Sequence, residues 1–196
     1  KIKLKFILNT HHHYDHVGGN KILKEKYGAQ VIGYKKDKER IPEIDILVDD
    51  QEIWSHENFE AKIFHVPGHT LGHICFYFHK EKSVFTGDTL FSLGCGKIFE
   101  GTYSQMFNSL KKLKTLPQNT KIYCGHEYTK NNSNFCIVYD ADNQNLKKKI
   151  NDINEKLKKN LPTIPSTIKD ELECNIFLKI DNLESFSKLR DLKDNF

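Results

Sequence analysis

The sequence predicts a protein of the α/β class. Short segments with the alternating or continuous apolar pattern of β-strands recur through residues 2–124. Segments with apolar residues at helical spacing lie between and after these strands. Histidine and aspartate repeatedly stand just after a predicted strand, in the kind of loop where a rigid sheet commonly carries functional side chains.

The individual elements follow from these periodicities. The predicted strands are residues 2–8, 30–34, 59–66, 74–78, 83–86 and 121–124. The predicted helices are residues 20–27, 103–114, 143–159 and 183–192. The charge-rich run 35–40 is predicted to be a solvated loop.

The character of the chain changes near Asp140, which predicts two domains, residues 1–139 and residues 140–196. The second domain is rich in lysine and asparagine and has the pattern of amphipathic helices. A proline-containing segment interrupts this pattern, and Ser166 or Thr167 can cap the helix that follows. We expect this small helical domain to lie over the functional site.

Composition limits the classes of function. Hydrophobic residues make up 38% of the sequence, enough for a buried core, and the formal net charge is only +4. This weak basicity suits a small anionic substrate, whereas nucleic-acid binding needs a denser basic stripe. The sequence has no apolar run long enough to cross a membrane. We therefore expect a small-molecule substrate, no nucleic acid and no membrane, and a monomer rather than an oligomer.

One segment, residues 10–20, concentrates candidate metal ligands at a predicted strand-to-helix turn. Imidazole and carboxylate groups suit zinc, iron or manganese. Because alternate residues can point the same way, we expect His11 and His13 to bind one ion, and Asp15 and His16 to bind a second ion beside it. A purification tag would be an unbroken histidine run at a terminus, whereas this run is internal and continues into Asp-His and Gly-Gly.

Three further candidates, His69, Asp88 and His126, each follow a predicted strand. Alone, either histidine would more often be structural and Asp88 a turn cap. Together with the first segment, we expect His69 to complete the first ion's ligands, His126 the second's, and Asp88 to bridge both ions. This set has no cysteine and leaves coordination positions open, unlike a structural zinc site. Two such ions can hold a bridging hydroxide at neutral pH, so the set predicts a hydrolase.

The other five histidines are predicted not to bind metal, although His73 or His12 could orient a ligand. They are His12, His56, His65, His73 and His79. The five cysteines, at positions 75, 95, 124, 136 and 174, are scattered and odd in number, which predicts reduced thiols and a cytoplasmic location.

These residues resemble the metallo-β-lactamase superfamily, whose Thr-His-x-His-x-Asp-His pattern corresponds to residues 10–16 and is followed by His69, Asp88 and His126. Other segments are similar to one family within it, the glyoxalase II (hydroxyacylglutathione hydrolase) family. They are Gly-Cys-Gly-Lys at 94–97, Gly-His-Glu-Tyr at 125–128 and Arg-x-x-Lys at 190–193. The resemblance extends nearly from end to end.

The resemblance implies an αββα sandwich with a C-terminal helical domain, and two divalent ions, zinc as the first expectation and iron or manganese as alternatives. It implies hydrolysis of S-D-lactoylglutathione to glutathione and D-lactate, with Asp15 and Asp88 as catalytic carboxylates. It also implies that five residues contact the glutathione part: Lys97, Phe99, Tyr128, Arg190 and Lys193. Arginine and lysine suit the two carboxylates of glutathione.

Members of this family have strands before the first metal motif, so we expect the sequence to lack its natural N-terminus. If a targeting segment preceded Lys1, an organelle location stays open. Three other functions also stay open: a persulfide dioxygenase with a single iron, an RNA-processing phosphodiesterase, and a non-catalytic module that retains the fold. Metal stoichiometry separates the dioxygenase, which has one iron, from a hydrolase with two ions. The phosphodiesterase requires an extended basic face.

Overall fold

Three parallel strands form the smaller of two facing sheets. In the computed structural model, which describes residues 3–196, they are β1 Phe6–Leu8, β2 Gln30–Tyr34 and β3 Ile44–Val48, in the order β1-β2-β3. Two helices follow β1: α1 Tyr14–Val17 and α2 Asn20–Tyr27. The predicted strand 2–8 is therefore shorter than expected, and Ile2 lies outside the described residues.

Six strands form the larger sheet, in the order β11-β10-β7-β6-β5-β4. They are β4 Ile53–His56, β5 Phe59–His65, β6 Ile74–Phe78, β7 Ser83–Gly87, β10 Lys121–Cys124 and β11 Ser166–Thr167. Strands β7 and β10 are parallel, and the other neighbours are antiparallel. A short hairpin, β8 Leu90–Phe91 and β9 Gly94–Cys95, follows β7.

Six more helices cover the outer face of the larger sheet. They are α3 Tyr103–Leu113, α4 Thr129–Tyr139, α5 Gln144–Lys158, α6 Ile168–Cys174, α7 Ile176–Lys179 and α8 Leu183–Asp194. Of the two predicted caps for α6, the structure uses Thr167, whose hydroxyl accepts from the Asp170 N–H while the Asp170 carboxylate accepts from the Thr167 N–H.

The buried side chains confirm the αββα sandwich. Ile32 and Val48 of the smaller sheet pack against Ile63 and Phe76 of the larger sheet in one cluster. The other face of the larger sheet packs against the helices in a second cluster, which includes Met106, Leu110, Phe135, Phe177 and Phe186. Each large apolar side chain that is fully buried stabilises the fold by about 1.5–3 kcal/mol. Because such side chains are buried on both faces of the larger sheet, this sheet lies between the smaller sheet and the helices.

Several elements were not predicted, and in three of them, β3, β4 and α4, polar residues obscure the pattern. Strand β3 contains Asp45, which accepts a hydrogen bond from the Val31 N–H. Strand β4 lies at the edge of its sheet. Helix α4 begins Thr-Lys-Asn-Asn-Ser-Asn, and buries Asn132 and Ser133. The predicted domain boundary at 139/140 falls between α4 and α5, and it remains a prediction.

Residues 35–40 were predicted to be a solvated loop, and the predicted exposure is wrong for Asp37. Lys35–Asp37 forms a turn of 3-10 helix, and Asp37 is only 2% exposed. Arg40 donates to the Asp37 carboxylate from both Nε and Nη2, which compensates the burial of the charge.

Candidate metal centre

The segment after β1 carries four of the seven predicted ligands. They are His11 and His13, which precede α1, and Asp15 and His16, which lie within it. The Asn9 side-chain amide donates to the His16 carbonyl at 3.2 Å, and the Asn20 amide donates to Asn9 Oδ1 at 2.8 Å. These bonds fix the end of β1 against the starts of α1 and α2, so the four ligands are held on a rigid turn.

The other three predicted ligands come from loops at the ends of strands in the larger sheet. His69 lies four residues after β5, Asp88 directly follows β7, and His126 is the second residue after β10. Because β7 and β10 are parallel neighbours, their C-terminal ends place Asp88 and His126 at the same edge. The structure therefore brings all seven side chains from four segments to one place.

The first group of side chains consists of His11, His13 and His69. Their ligand atoms all lie within 4.8 Å of one another. His69 Nε2 is 3.0 Å from His13 Nδ1. This is the set that the sequence predicted for the first ion.

The second group consists of Asp15, His16 and His126, whose ligand atoms also lie within 4.8 Å of one another. His126 Nε2 is 3.3 Å from Asp15 Oδ2 and 3.3 Å from His16 Nε2. This is the set that the sequence predicted for the second ion.

Asp88 lies between the two groups. Its Oδ2 is 3.6 Å from His69 Nε2 and 3.2 Å from His126 Nε2, while its Oδ1 is 3.4 Å from His16 Nε2. The carboxylate thus reaches nitrogen atoms of both groups, as a bridging ligand must.

Two buried atoms at the centre, His11 Nε2 and Asp88 Oδ1, have no hydrogen-bond partner among residues 3–196. Leaving a buried polar atom unpaired costs about 1–3 kcal/mol. Cations that accept the surrounding lone pairs would remove this cost. Nitrogen and carboxylate oxygen are ligands that zinc, iron and manganese accept, so the residues present fit a dinuclear metal centre.

The electrostatics favour the neutral, ligand form of three of these histidines. Burial lowers the pKa of His11, and the neighbouring histidines lower it further. Burial also lowers the pKa of His13 and of His69. At His16 burial acts in the same direction, but the Asp88 and Asp15 carboxylates outweigh it and raise the pKa. Neutral imidazoles keep the lone pair that a metal needs.

Glycines provide the space that the centre needs. A Cβ at Gly125 would lie 2.4 Å from Asp88 Oδ1 and 2.8 Å from His16 Cε1. A Cβ at Gly18 would lie 2.8 Å from the Tyr14 carbonyl oxygen. Because the φ of Gly18 is −60°, an ordinary helical value, this glycine serves close packing and not an unusual backbone conformation.

Two of the five histidines that were predicted not to bind metal lie beside the ligands. His73 is fully buried, and its ring stacks on that of His11 with centroids 4.7 Å apart. His12 lies 3.3 Å from Asp37 Oδ2 and 3.4 Å from Glu100 Oε1. None of the five belongs to a metal-capable group among the described residues, including His56, His65 and His79.

Three of the five predicted substrate residues lie at the rim of the centre. Phe99 packs edge-on against His13 and His69, with centroids 5.6 and 5.2 Å apart, and is 62% exposed. The Lys97 ammonium lies 5.9 Å from the Phe99 ring centroid. Tyr128 stacks on His126 with centroids 4.9 Å apart.

The two C-terminal candidates are placed differently. Arg190 is only 4% exposed, and its Nη1 donates to the Cys95 carbonyl at 2.7 Å while Nη2 donates to Asp194 at 2.9 Å. Lys193 donates to Asn131 through its ammonium group. Contact of Arg190 with a substrate remains a prediction, and in this structure the guanidinium supports the backbone just before Lys97.

Sequence reasoning missed three charged residues near the centre: Asp37, Arg40 and Glu100. Arg40 Nη1 donates to Glu100 Oε1 at 2.6 Å, and Glu100 Oε2 accepts from the Leu71 N–H at 2.8 Å. Asp37 and Arg40 stood in a charge run that is typical of a solvated surface, so nothing in the pattern marked them. Glu100 follows Phe99 directly, and that adjacency was the one available signal.

Comparison with known proteins gives a consistent result. The family profile of the Metallo-beta-lactamase superfamily matches residues 1–126, and that of the Hydroxyacylglutathione hydrolase C-terminus matches residues 127–196. The hydroxyacylglutathione hydrolase of Pelagibacter ubique (strain HTCC1062) is 80% identical over 195 residues, which is 100% of this chain and 82% of that protein. That of Prochlorococcus marinus (strain MIT 9301) is 47% identical over 98% of this chain and 79% of that protein.

Among solved structures, ETHE1 from Myxococcus xanthus superposes with a TM-score of 0.69, covering 97% of this chain and 70% of that chain at 23% identity. At this identity the likeness supports the fold alone. The family profiles and the two sequence relatives confirm the resemblance that the motifs indicated. The chain belongs to the metallo-β-lactamase superfamily and, within it, to the hydroxyacylglutathione hydrolase family.

Proposed function

We propose that this chain hydrolyses the thioester of S-D-lactoylglutathione to glutathione and D-lactate. The observation that carries the proposal is the convergence of two groups of ligand atoms on the Asp88 carboxylate. The names of the two sequence relatives supply the substrate class, because both are hydroxyacylglutathione hydrolases.

Two divalent ions would be held by the seven side chains. His11, His13 and His69 would hold one, Asp15, His16 and His126 the other, and Asp88 would bind both. Zinc is our first expectation, with iron or manganese as alternatives, because nitrogen and oxygen ligands suit all three. When bound, the pair supplies Lewis acidity toward the thioester carbonyl and lowers the pKa of water.

The two carboxylates have different environments and therefore different roles. The Asp88 side chain is only 9% exposed, which suits a fixed bridging ligand. The Asp15 side chain is 59% exposed and is therefore accessible to solvent. We assign to Asp15 the hydrogen bond that orients the attacking water, because an ionised carboxylate can accept a hydrogen bond from that water.

The leaving group needs little help from the protein. A thiol has a pKa near 8.5 and can depart as the thiolate, so no strong general acid is required. The seven proposed ligands are histidines and aspartates, and we assign none of them the task of protonating the leaving group. This arrangement suits a thioester better than an ester or amide.

Lys97, Phe99 and Tyr128 form the side of the site where the glutathione part would bind. Phe99 and Tyr128 offer exposed aromatic faces beside the two ligand groups. Lys97 and Lys193 offer cations for the glutathione carboxylates. Arg190 would contribute through the Cys95 backbone that it holds.

The expectations about compartment, membrane and oligomeric state are also proposals. Among residues 3–196 the structure contains no helix that is both long and apolar enough to cross a bilayer. All five cysteines are free thiols, in agreement with the expectation of a reducing compartment. We propose a cytoplasmic monomer that acts on a small glutathione thioester. No observation favours the dioxygenase, the phosphodiesterase or the non-catalytic module.

A thioesterase assay with S-D-lactoylglutathione, run beside metal analysis, tests the proposal. We expect turnover with two ions per chain, and loss of both metal and turnover in Asp88→Asn. Full activity with two ions in Asp88→Asn would exclude the bridging assignment. No turnover by a fully loaded wild-type chain would exclude the function.

A further inference from the structure

A network of four side chains joins three loops at the rim of the metal centre. Arg40 Nη2 donates to Asp37 Oδ1 at 2.6 Å, and Arg40 Nη1 donates to Glu100 Oε1 at 2.6 Å. The His12 ring lies between the two carboxylates, 3.3 Å from Asp37 and 3.4 Å from Glu100. We refer to Asp37, Arg40, Glu100 and His12 as the Arg40 clamp.

The inner end of the clamp is fixed by close packing. The Asp37 side chain is 3% exposed, and a Cβ at Gly72 would lie 2.1 Å from the Asp37 Cγ. The carboxylate therefore occupies the space that any side chain at Gly72 would need. Because a buried carboxylate requires a partner, its position fixes that of Arg40 as well.

The outer end of the clamp is fixed by the loop that carries the proposed substrate residues. Glu100 Oε2 accepts from the Leu71 N–H at 2.8 Å. The Phe99 N–H donates to the His69 carbonyl at 3.2 Å, and His69 Nδ1 lies 2.7 Å from the Lys97 carbonyl oxygen. The loop with Lys97 and Phe99 is thus bonded to the ligand His69 by its backbone, and to Arg40 by Glu100.

We propose that Arg40 and Glu100 are positioning residues, which set the substrate loop 97–100 relative to the metal loop 11–13 so that the glutathione part of the substrate is bound. This inference rests on the proposed function. It assigns a role to charged residues that touch neither metal ligand atoms nor thioester. Through His12, which lies between ligands His11 and His13, the clamp meets the metal loop.

The exposure of the clamp predicts which property changes when it is broken. The Arg40 side chain is 38% exposed and that of Glu100 is 25% exposed, so the outer ion pair lies at the surface and contributes little to stability. The seven ligands are held separately by strands and backbone bonds. Breaking the outer pair should therefore loosen the substrate loop while the metal centre stays loaded.

The experiment compares two thioesters as substrates of the metal-loaded chain, residues 1–196. One is S-D-lactoylglutathione, and the other is the lactoyl thioester of 2-mercaptoethanol, which lacks the glutathione peptide. In Arg40→Ala and Glu100→Ala we expect KM for the glutathione thioester to rise at least about fivefold, with kcat/KM for the small thioester within about twofold of wild type. Metal content should remain two ions per chain.

Two further variants act as matched controls. Lys38→Ala removes a cation from the same loop, where Lys38 lies 3.5 Å from the exposed Glu39 carboxylate, and should change neither substrate's kinetics. Arg40→Lys keeps the charge but lacks the planar fork that reaches two carboxylates, so it should restore part of the lost affinity. Arg40→Ala also leaves the buried Asp37 carboxylate unpaired and can destabilise the fold. If either alanine variant does not fold, Glu100→Gln breaks the outer pair alone, because it keeps the acceptor for the Leu71 N–H and loses only the charge.

Three results would overturn the inference. They are equal losses for both thioesters, loss of metal from a folded Glu100→Gln variant, and a Lys38→Ala variant as impaired as Glu100→Gln. An inactive wild-type chain would instead contradict the proposed function. The role of the clamp is judged separately, for each substrate, by the ratio of the variant's KM or kcat/KM to that of the wild type.

Discussion

His73 Nε2 accepts a hydrogen bond from the Asp88 backbone N–H at 3.0 Å. Because a backbone N–H can only donate, His73 must be neutral with its proton on Nδ1, where Thr89 Oγ1 lies 3.2 Å away. Burial lowers the pKa of His73 to about 3, in agreement with a neutral ring. His73 therefore fixes the backbone of the proposed bridging ligand without binding metal itself.

The first prediction concerns this bond. His73→Phe removes the acceptor and leaves the Asp88 N–H buried and unpaired, so we expect metal affinity to fall by about 10-fold or more. His73→Gln offers an acceptor of similar reach and should recover part of that loss. Titration of the metal-free chain with zinc measures both. Equal affinities for wild type and His73→Phe would show that the bond does not position Asp88.

The sequence predicted which seven side chains come together at the candidate centre, because each of them follows a strand or lies within one short motif. Position along a strand is a local property, and local patterns record it. The roles of Asp37 and Arg190 depend instead on what the folded chain packs against them. The charge run predicted solvent for Asp37, and the family resemblance predicted contact with glutathione for Arg190, yet both side chains are buried. Long-range packing of this kind leaves no periodic signal.

A second prediction concerns the space beside Asp88. In Gly125→Ala the new Cβ would meet Asp88 Oδ1 and His16 Cε1 well inside van der Waals contact, so these groups must move. A displacement near 1 Å at reacting groups costs about 100-fold in rate, and we expect kcat/KM to fall by that order. Gly19→Ala is the matched control, since its Cβ would meet only Leu23 at 3.5 Å. Normal activity in Gly125→Ala would show that the centre tolerates this movement.

A third prediction separates the two C-terminal cations. Lys193→Ala should raise KM for S-D-lactoylglutathione about fivefold and leave the free energy of unfolding nearly unchanged, because it removes a partly exposed charge. Arg190→Ala removes the guanidinium that donates a hydrogen bond to the buried Cys95 carbonyl. In this variant the free energy of unfolding should fall by about 1–3 kcal/mol, in addition to any change in KM. Steady-state kinetics and urea unfolding measure the pair. A Lys193→Ala variant with lower kcat and unchanged KM would contradict the binding role.

A fourth prediction concerns Glu171, whose Oε2 accepts from the Leu93 N–H at 2.8 Å and from the Asn175 amide at 2.9 Å. Burial raises the pKa of this carboxyl from 4.5 to about 7. Between these pH values the folded chain keeps a proton that the unfolded chain has released. The free energy of unfolding should therefore fall as the pH rises through this range, by at most about 3 kcal/mol.

Glu171→Gln isolates that contribution. The amide oxygen can still accept from the Leu93 N–H, and the side chain no longer titrates. Urea unfolding at pH 5 and pH 8 should show the variant more stable, relative to wild type, at pH 8 than at pH 5. Parallel pH dependences of the two chains would mean that Glu171 carries no raised pKa.

The central claim is that seven side chains from four segments bind two ions with Asp88 between them. Crystals of the metal-loaded chain, measured at the absorption edge of the bound metal, test it most directly. We predict two anomalous peaks, one at His11, His13 and His69 and one at Asp15, His16 and His126, with Asp88 in contact with both. A single peak, or peaks away from Asp88, would contradict the account.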